Sequence, residues 1–196
     1  MTTIDLEHLP TRAGRPRDPA CDAAILQAAL DAFVEEGYAG VSMEGVAARA
    51  GVGKATVYRR YSSKAQLVVD AVRCGVQLED HLPDTGNLRD DLASILQPLL
   101  DRLRGPEAKV MITFAVERFG NPDLDEEFTR SVIGKKREHI ARIIALGIER
   151  GDLPPTADAA LIAEVPSAVL WHHALYGLPI DEDLLERTLD LVLPRA

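Results

Sequence analysis

Apolar side chains recur along the chain at the three- and four-residue spacing of α-helices. The alternation of polar and apolar residues that would predict strands is not sustained anywhere, and hairpin turns of the Asn-Gly or Asp-Gly type are absent. Capping residues mark the helix starts, because Asp18 precedes Pro19, Ser42 opens a second helix, and Ser63 stands three residues before Gln66. The pattern predicts an all-α chain.

The remaining helices follow a turn-rich stretch, HLPDTGN, at residues 81–87. Apolar periodicity predicts them at 88–104, 107–119, 122–150, 157–176 and 182–192. Before residue 18, Pro10, Gly14 and Pro16 oppose regular structure. We therefore expect a flexible basic arm at 1–17, a first domain at 18–62 and a second helical domain at 63–196, with the fourth helix connecting the two domains.

The first domain has the layout of a helix-turn-helix. Only Gly51-Val52-Gly53 separates the second predicted helix from the third, which covers about 54–61. At 100° per residue, Val57 and Tyr61 lie together on one side of the third helix, where they can dock onto the first helix. Four side chains then face outward, namely Ala55, Thr56, Arg59 and Arg60.

Charge is distributed unevenly. The chain has 22 Lys and Arg against 31 Asp and Glu, a net charge of −9, yet eight of each fall in residues 1–64. Residues 49–64 contain five cationic side chains and no acidic one, since Glu44 precedes this stretch. This asymmetry predicts an anionic partner for one end of the chain, either a nucleic acid or a membrane surface, although a solvated basic face is the simpler alternative.

The outward residues suit duplex DNA. Arginine reads guanine edges or binds phosphate, and the threonine methyl group can contact thymine. The small Ala55 lets the backbone approach closely. Phosphate oxygens are the expected partners of residues at the flanks and at the start of the second helix, namely Ser42, Lys54, Tyr58 and Lys64.

Residues 37–72, GYAGVSMEGVAARAGVGKATVYRRYSSKAQLVVDAV, resemble the TetR family of bacterial transcriptional regulators. The matching positions are Gly37, Tyr38, Ser42, Val46, Ala47, Ala50, Gly51, Val52, Thr56, Val57, Tyr58, Tyr61, Ser63 and Lys64. Some positions depart from the family pattern or fit it poorly. Gly53 replaces a capping serine, and Glu44 places a carboxylate near the expected DNA backbone. Arg59 and Arg60 replace aromatic or histidine residues, which favours guanine as the preferred base.

The resemblance implies a ligand-responsive regulator, most often a repressor, that binds palindromic operator DNA as a homodimer. Two copies of the third helix would enter successive major grooves. The residues implied to face the bases or the adjacent backbone are Lys54, Ala55, Thr56, Arg59 and Arg60, and those implied to clamp phosphates are Ser42, Tyr58 and Lys64. A small-molecule effector would bind in the second domain and release the DNA.

Arg12, Arg15 and Arg17 lie in the segment TRAGRPR before the first helix. Such an arm can follow the narrow minor groove of A·T-rich DNA. A frayed tail with incidental charge is the alternative.

The second domain offers candidates for dimerisation and for effector binding. A dimer interface is predicted at positions of the last two helices that can pack against their copies, namely Ala168, Leu175, Leu185, Leu189 and Val192, although an intramolecular core is the alternative. The candidate ligand pocket contains Phe114, Arg118, Trp171 and His172, and each of these is otherwise an ordinary core or surface residue.

Other function classes find less support in the sequence. His172 and His173 point about 100° apart on a helix, so we predict no metal site, and we predict no cofactor. A small helical enzyme would need a nucleophile–base arrangement or a phosphate loop, and neither motif is found. A helical adaptor without DNA binding is the third hypothesis. No apolar run is long enough for a membrane span and no secretion signal is recognised, so we expect a cytoplasmic, nucleoid-associated protein.

Overall fold

The computed structural model describes residues 19–76, 83 and 85–193, and in these residues the regular structure is entirely helical. The helices are α1 (Pro19–Gly40), α2 (Met43–Arg49), α3 (Lys54–Arg60), α4 (Lys64–Gly75), α5 (Leu88–Arg104), α6 (Ala108–Gly120), α7 (Pro122–Phe128), α8 (Gly134–Arg150), α9 (Ala159–Tyr176) and α10 (Leu184–Val192). The predicted all-α fold is confirmed.

Side-chain caps start several of these helices. The Ser42 hydroxyl accepts a hydrogen bond from an amide of α2, and the Ser63 hydroxyl does the same for α4. Asn87 caps α5, and the Asp158 carboxylate accepts from the Leu161 amide in α9. These bonds satisfy amide groups that have no partner within the helix. The helix starts are therefore determined by residues close in sequence.

The long helix predicted at 122–150 is wrong in one respect, because it is interrupted. A π-helical turn, Thr129–Ile133, separates α7 from α8. Within this turn the Ser131 hydroxyl donates a hydrogen bond of 2.7 Å to the carbonyl of Glu127, which competes with the regular helical ladder. Gly134, a poor helix former, follows directly.

The described helices form two compact units. The first unit contains α1–α4, α6 and α7. Its core is built around Phe33 of α1, Leu67 of α4 and Leu124 of α7, all of which are fully buried. Gly75 lets α1 and α4 approach closely, since a Cβ atom there would lie 2.5 Å from Leu30 Cδ2.

The second unit contains α5, α8, α9 and α10. Leu100, Ile144, Leu170 and Leu189 contribute one fully buried side chain from each of these helices. These two units are defined by how the helices pack. The predicted boundary between residues 62 and 63 separates two functional domains, and it stays a prediction. The predicted basic arm, with Arg12, Arg15 and Arg17, lies outside the described residues.

Candidate nucleic-acid interface

The turn between α2 and α3 brings a short helix to the surface of the first unit. Gly51 has φ of +67°, a backbone conformation that favours glycine. Gly53 then precedes α3 in an extended conformation and provides no side-chain cap. The departure from a capping serine thus leaves the start of α3 without that hydrogen bond.

Helix α3 is anchored by its inner face. Val57 is fully buried and Tyr61, directly after the helix, is 2% exposed, as the helical spacing predicts. Ala55 and Arg59 are exposed on the opposite face, and Lys54 is exposed at the start of the helix. A cationic surface on a firmly packed helix is therefore available to a partner.

Arg59 stays on this surface. Its Nη2 donates to the Thr56 hydroxyl, one helical turn earlier, at 3.2 Å. Thr56 itself is half-buried. The contact aligns the guanidinium along the outer face of α3, where its planar fork of N–H groups can address a base edge or a phosphate.

Arg60 is placed differently from its neighbour, and its predicted outward orientation is wrong. Its Nε donates to Asp22 of α1, and the two side chains are only 16% and 14% exposed. Burial by itself lowers the pKa of Arg60, but the hydrogen bond and the charge of Asp22 outweigh burial and raise that pKa. Arg60 therefore fastens α3 to α1.

Lys64 is also engaged within the protein. Its ammonium donates to the carbonyl oxygen of Tyr38 at 3.0 Å and lies 4.0 Å from the centroid of the Tyr38 ring. Tyr38 is buried, and its hydroxyl donates to the Asp123 carboxylate of α7. Burial, followed by this hydrogen bond, raises the pKa of Tyr38. A phosphate contact by Lys64 stays a prediction.

At the start of α2, Ser42 is exposed and its hydroxyl accepts from the Gly45 amide at 3.0 Å. Tyr58 is 52% exposed, and its hydroxyl donates to Glu44 Oε1 at 2.9 Å. This hydrogen bond raises the pKa of Tyr58. Ser42 and Tyr58, two of the predicted phosphate ligands, thus lie on the same exposed region as Glu44.

Sequence reasoning missed three hydrogen-bond partners in this region. They are Asp22 for Arg60, Tyr38 for Lys64 and Asp123 for Tyr38. Asp22 is 38 residues from Arg60, and Asp123 is 85 residues from Tyr38. No local spacing could have revealed these contacts. Tyr38 did stand in the matched motif, but nothing in the motif indicated its hydrogen-bond partners.

The candidate pocket residues are divided between the two compact units. In the first unit, Phe114 is buried with its ring centroid 4.9 Å from that of Phe128, and the Arg118 Nε donates to Asp125 at 2.8 Å. In the second unit, Trp171 is half-buried, and the exposed His172 has its ring centroid 4.7 Å from that of Tyr176. A pocket formed by the four predicted residues stays a prediction.

The predicted dimer residues also separate into two sets. Leu185 and Leu189 are buried within the second unit, where α10 packs on α5 and α9, so their prediction as interface residues is wrong. Their i, i+4 spacing serves the intramolecular core. Ala168 and Leu175 are exposed on α9, and Val192 is half-buried.

Within the described part of the chain, no helix is both long and apolar enough to cross a bilayer. The same residues contain no group of three or more His, Cys, Asp or Glu side chains that could hold a metal ion.

A short cationic helix, anchored by buried Val57 and Tyr61 behind a glycine-containing turn, defines a helix-turn-helix DNA-binding protein. Comparison with known families agrees. Residues 25–71 match the bacterial regulatory proteins of the tetR family, and residues 82–192 match the tetracyclin repressor-like C-terminal domain. The chain belongs to the TetR family of transcriptional regulators.

Individual relatives support this assignment over nearly the whole length. The uncharacterized HTH-type transcriptional regulator Rv1556 of Mycobacterium tuberculosis is 31% identical over 93% of each chain. The DNA-binding transcriptional repressor TetR of Mycobacteroides abscessus is 30% identical over 87% of this chain and 90% of its own. The crystal structure of the TetR family transcription regulator SCO0332 has a TM-score of 0.65 and 26% identity, covering 89% of this chain and 99% of that one.

Proposed function

We propose that the protein is a ligand-responsive repressor that binds a palindromic operator as a homodimer. The observation that carries this proposal is the outer face of α3, where Ala55 and Arg59 are exposed above a buried Val57, with Lys54 exposed at the start of the helix. A helix of this kind fits the major groove, whose base edges carry a readable donor and acceptor pattern.

The exposed side chains have different roles in this proposal. Arg59 reads a base edge, most effectively guanine, because its guanidinium can bond bidentately. Ser42, Tyr58 and Lys64 contact phosphates and set the position of the protein on the duplex. Although Lys64 already donates one hydrogen bond to Tyr38, an ammonium has three donors, so phosphate contact remains compatible with that bond.

Dimerisation is assigned to the exposed face of α9. Ala168 and Leu175 lie on it, together with the exposed Leu161 and Tyr176. Exposed apolar side chains grouped on one helix favour packing against a second copy. Two operator-binding helices in one dimer would then account for a palindromic site, because the symmetry of the DNA mirrors that of the protein.

A small molecule bound in the C-terminal domain would release the operator. It needs only to bind the non-DNA-binding conformation better, since linkage then lowers operator affinity. Helix α4 is the proposed lever between the functional domains. Repression is favoured because the relative from Mycobacteroides abscessus is named a repressor. We also infer that the protein acts in the cytoplasm on the nucleoid, and by binding instead of catalysis.

Selection of duplexes from random DNA tests this function. The proposal expects a palindromic consensus with two half-sites about one helical turn apart, and a dimer in analytical ultracentrifugation. A matched random duplex is the control. Failure to enrich any sequence would refute operator recognition, whereas enrichment by a strictly monomeric protein would refute only the dimer.

A further inference from the structure

Glu44 is an unexpected residue for a DNA-binding surface. It lies in the first turn of α2, is exposed, and is the only acidic residue between Glu36 and Asp70. A carboxylate here repels the phosphate backbone that its neighbours are proposed to bind. Its position therefore calls for a role within the surface itself.

The surroundings of Glu44 resemble those expected for a phosphate oxygen. Its Oε1 accepts from the Tyr58 hydroxyl at 2.9 Å. Its own backbone N–H, then Tyr58, and then the charge of Lys54 lower the pKa of Glu44, so that the group is a carboxylate at neutral pH. The hydroxyl and the cation that act on Glu44 are two of the proposed DNA ligands.

We propose that Glu44 is an intramolecular competitor of DNA phosphate, which occupies the hydroxyl of Tyr58 in the free protein and must be displaced when DNA binds. This inference rests on the proposed function. It adds to that function a residue that lowers affinity for duplex DNA without contacting a base.

The competition has a defined consequence for affinity. When DNA binds, the Tyr58 hydroxyl exchanges one anionic acceptor for another, so the contact with phosphate adds little net free energy. Without Glu44 the hydroxyl starts from water, and its bond to phosphate adds to binding. Because phosphates occur in every sequence, the effect is the same for an operator and for any other duplex.

A double-mutant cycle separates this mechanism from the general effect of removing a negative charge. The variants are Glu44→Ala, Tyr58→Phe and their combination, with Glu36→Ala as the control for net charge because Glu36 is an exposed acid of α1. Dissociation constants are measured by fluorescence anisotropy at fixed salt. The probes are a duplex that the wild-type protein selects from random DNA and a scrambled duplex of the same length.

We expect Glu44→Ala to raise affinity for both duplexes by about two- to tenfold, the range of a single hydrogen bond. In the Tyr58→Phe background the same substitution should raise affinity less, since no hydroxyl is released. Glu36→Ala should change affinity by less than about twofold. Urea unfolding of each variant establishes that it is folded.

Three results would overturn the inference. An equal rise in both backgrounds would mean that Glu44 acts only through its charge. A change confined to one base pair of the selected duplex would mean that Glu44 reads a base, such as the amino group of cytosine. An unchanged or reduced affinity would mean that it does not compete with phosphate. If the wild-type protein binds neither duplex, the proposed function itself fails, and the inference with it.

Discussion

Arg59 and Arg60 are adjacent in sequence, yet the structure predicts opposite consequences of their removal. Arg59 is exposed and contacts only Thr56 among the hydrogen bonds described for it. Arg60 is bonded to Asp22, and its Nη1 also lies 3.4 Å from the Thr56 carbonyl. We therefore expect Arg59→Ala to affect DNA binding and Arg60→Ala to affect folding.

The magnitude for Arg60 follows from burial. Breaking a fully buried ion pair costs about 3–5 kcal/mol, whereas an exposed pair contributes about 0–1 kcal/mol. With exposed fractions of 16% and 14%, the pair of Arg60 and Asp22 lies between these limits. We expect Arg60→Ala to lower the free energy of unfolding by about 2 kcal/mol, partly through lost packing of the aliphatic stem.

Arg59→Ala should change the free energy of unfolding by less than about 0.5 kcal/mol, since the side chain is on the surface. Its expected effect is on operator affinity, a loss of about 1–3 kcal/mol concentrated at one base pair. Urea titration followed by circular dichroism measures stability, and anisotropy with single-base-pair variants of the selected duplex measures base preference.

A cycle with Asp22→Ala completes the test. If Arg60 acts through Asp22, the double variant should be less unstable than the sum of the single variants, by about 1 kcal/mol. The reasoning would be refuted if Arg60→Ala left stability unchanged while abolishing base preference. It would equally be refuted if Arg59→Ala destabilised the protein as much as Arg60→Ala.

Three further predictions address other regions. Tyr38→Phe removes the hydrogen bond to Asp123 and should lower the free energy of unfolding by about 1–2 kcal/mol in urea titrations. Leu175→Asp should weaken the dimer by tenfold or more in analytical ultracentrifugation while the monomer stays folded, and Val116→Asp, also at an exposed position, should not. Burial raises the pKa of Cys74 to about 11 from 9.0. The neutral thiol therefore contributes on the order of 2 kcal/mol to the free energy of unfolding below pH 9, and this contribution is lost as the pH rises to 11. Cys74→Ala should make the free energy of unfolding fall less steeply over that range.

Much of the fold was predictable from residues close together in sequence. The caps at Ser42, Ser63 and Asp158 stand where the helix starts were predicted or within two residues of them. The inner face of α3 followed from the four-residue spacing of Val57 and Tyr61. These features depend on hydrogen bonds and periodicity within one or two turns, which a sequence displays directly.

The candidate interface was predictable only in part. The motif and its charge located α3, but they treated Arg59 and Arg60 as equivalent. Periodicity likewise identified the apolar stripe of α10 without revealing that Leu185 and Leu189 pack inside their own unit. An apolar stripe has the same sequence pattern whether its partner is the same chain or another copy.

The sequence by itself determined the helical class, the glycine turn of the DNA-binding element and its family, because each is encoded in short-range patterns. Tertiary structure alone decided which polar side chains of this surface already have partners within the protein. Arg60 is held by Asp22, Lys64 by Tyr38 and Tyr58 by Glu44, across separations of 38, 26 and 14 residues. Such pairs form only when packed helices bring distant side chains within hydrogen-bond distance, and this placement depends on the whole fold of the unit.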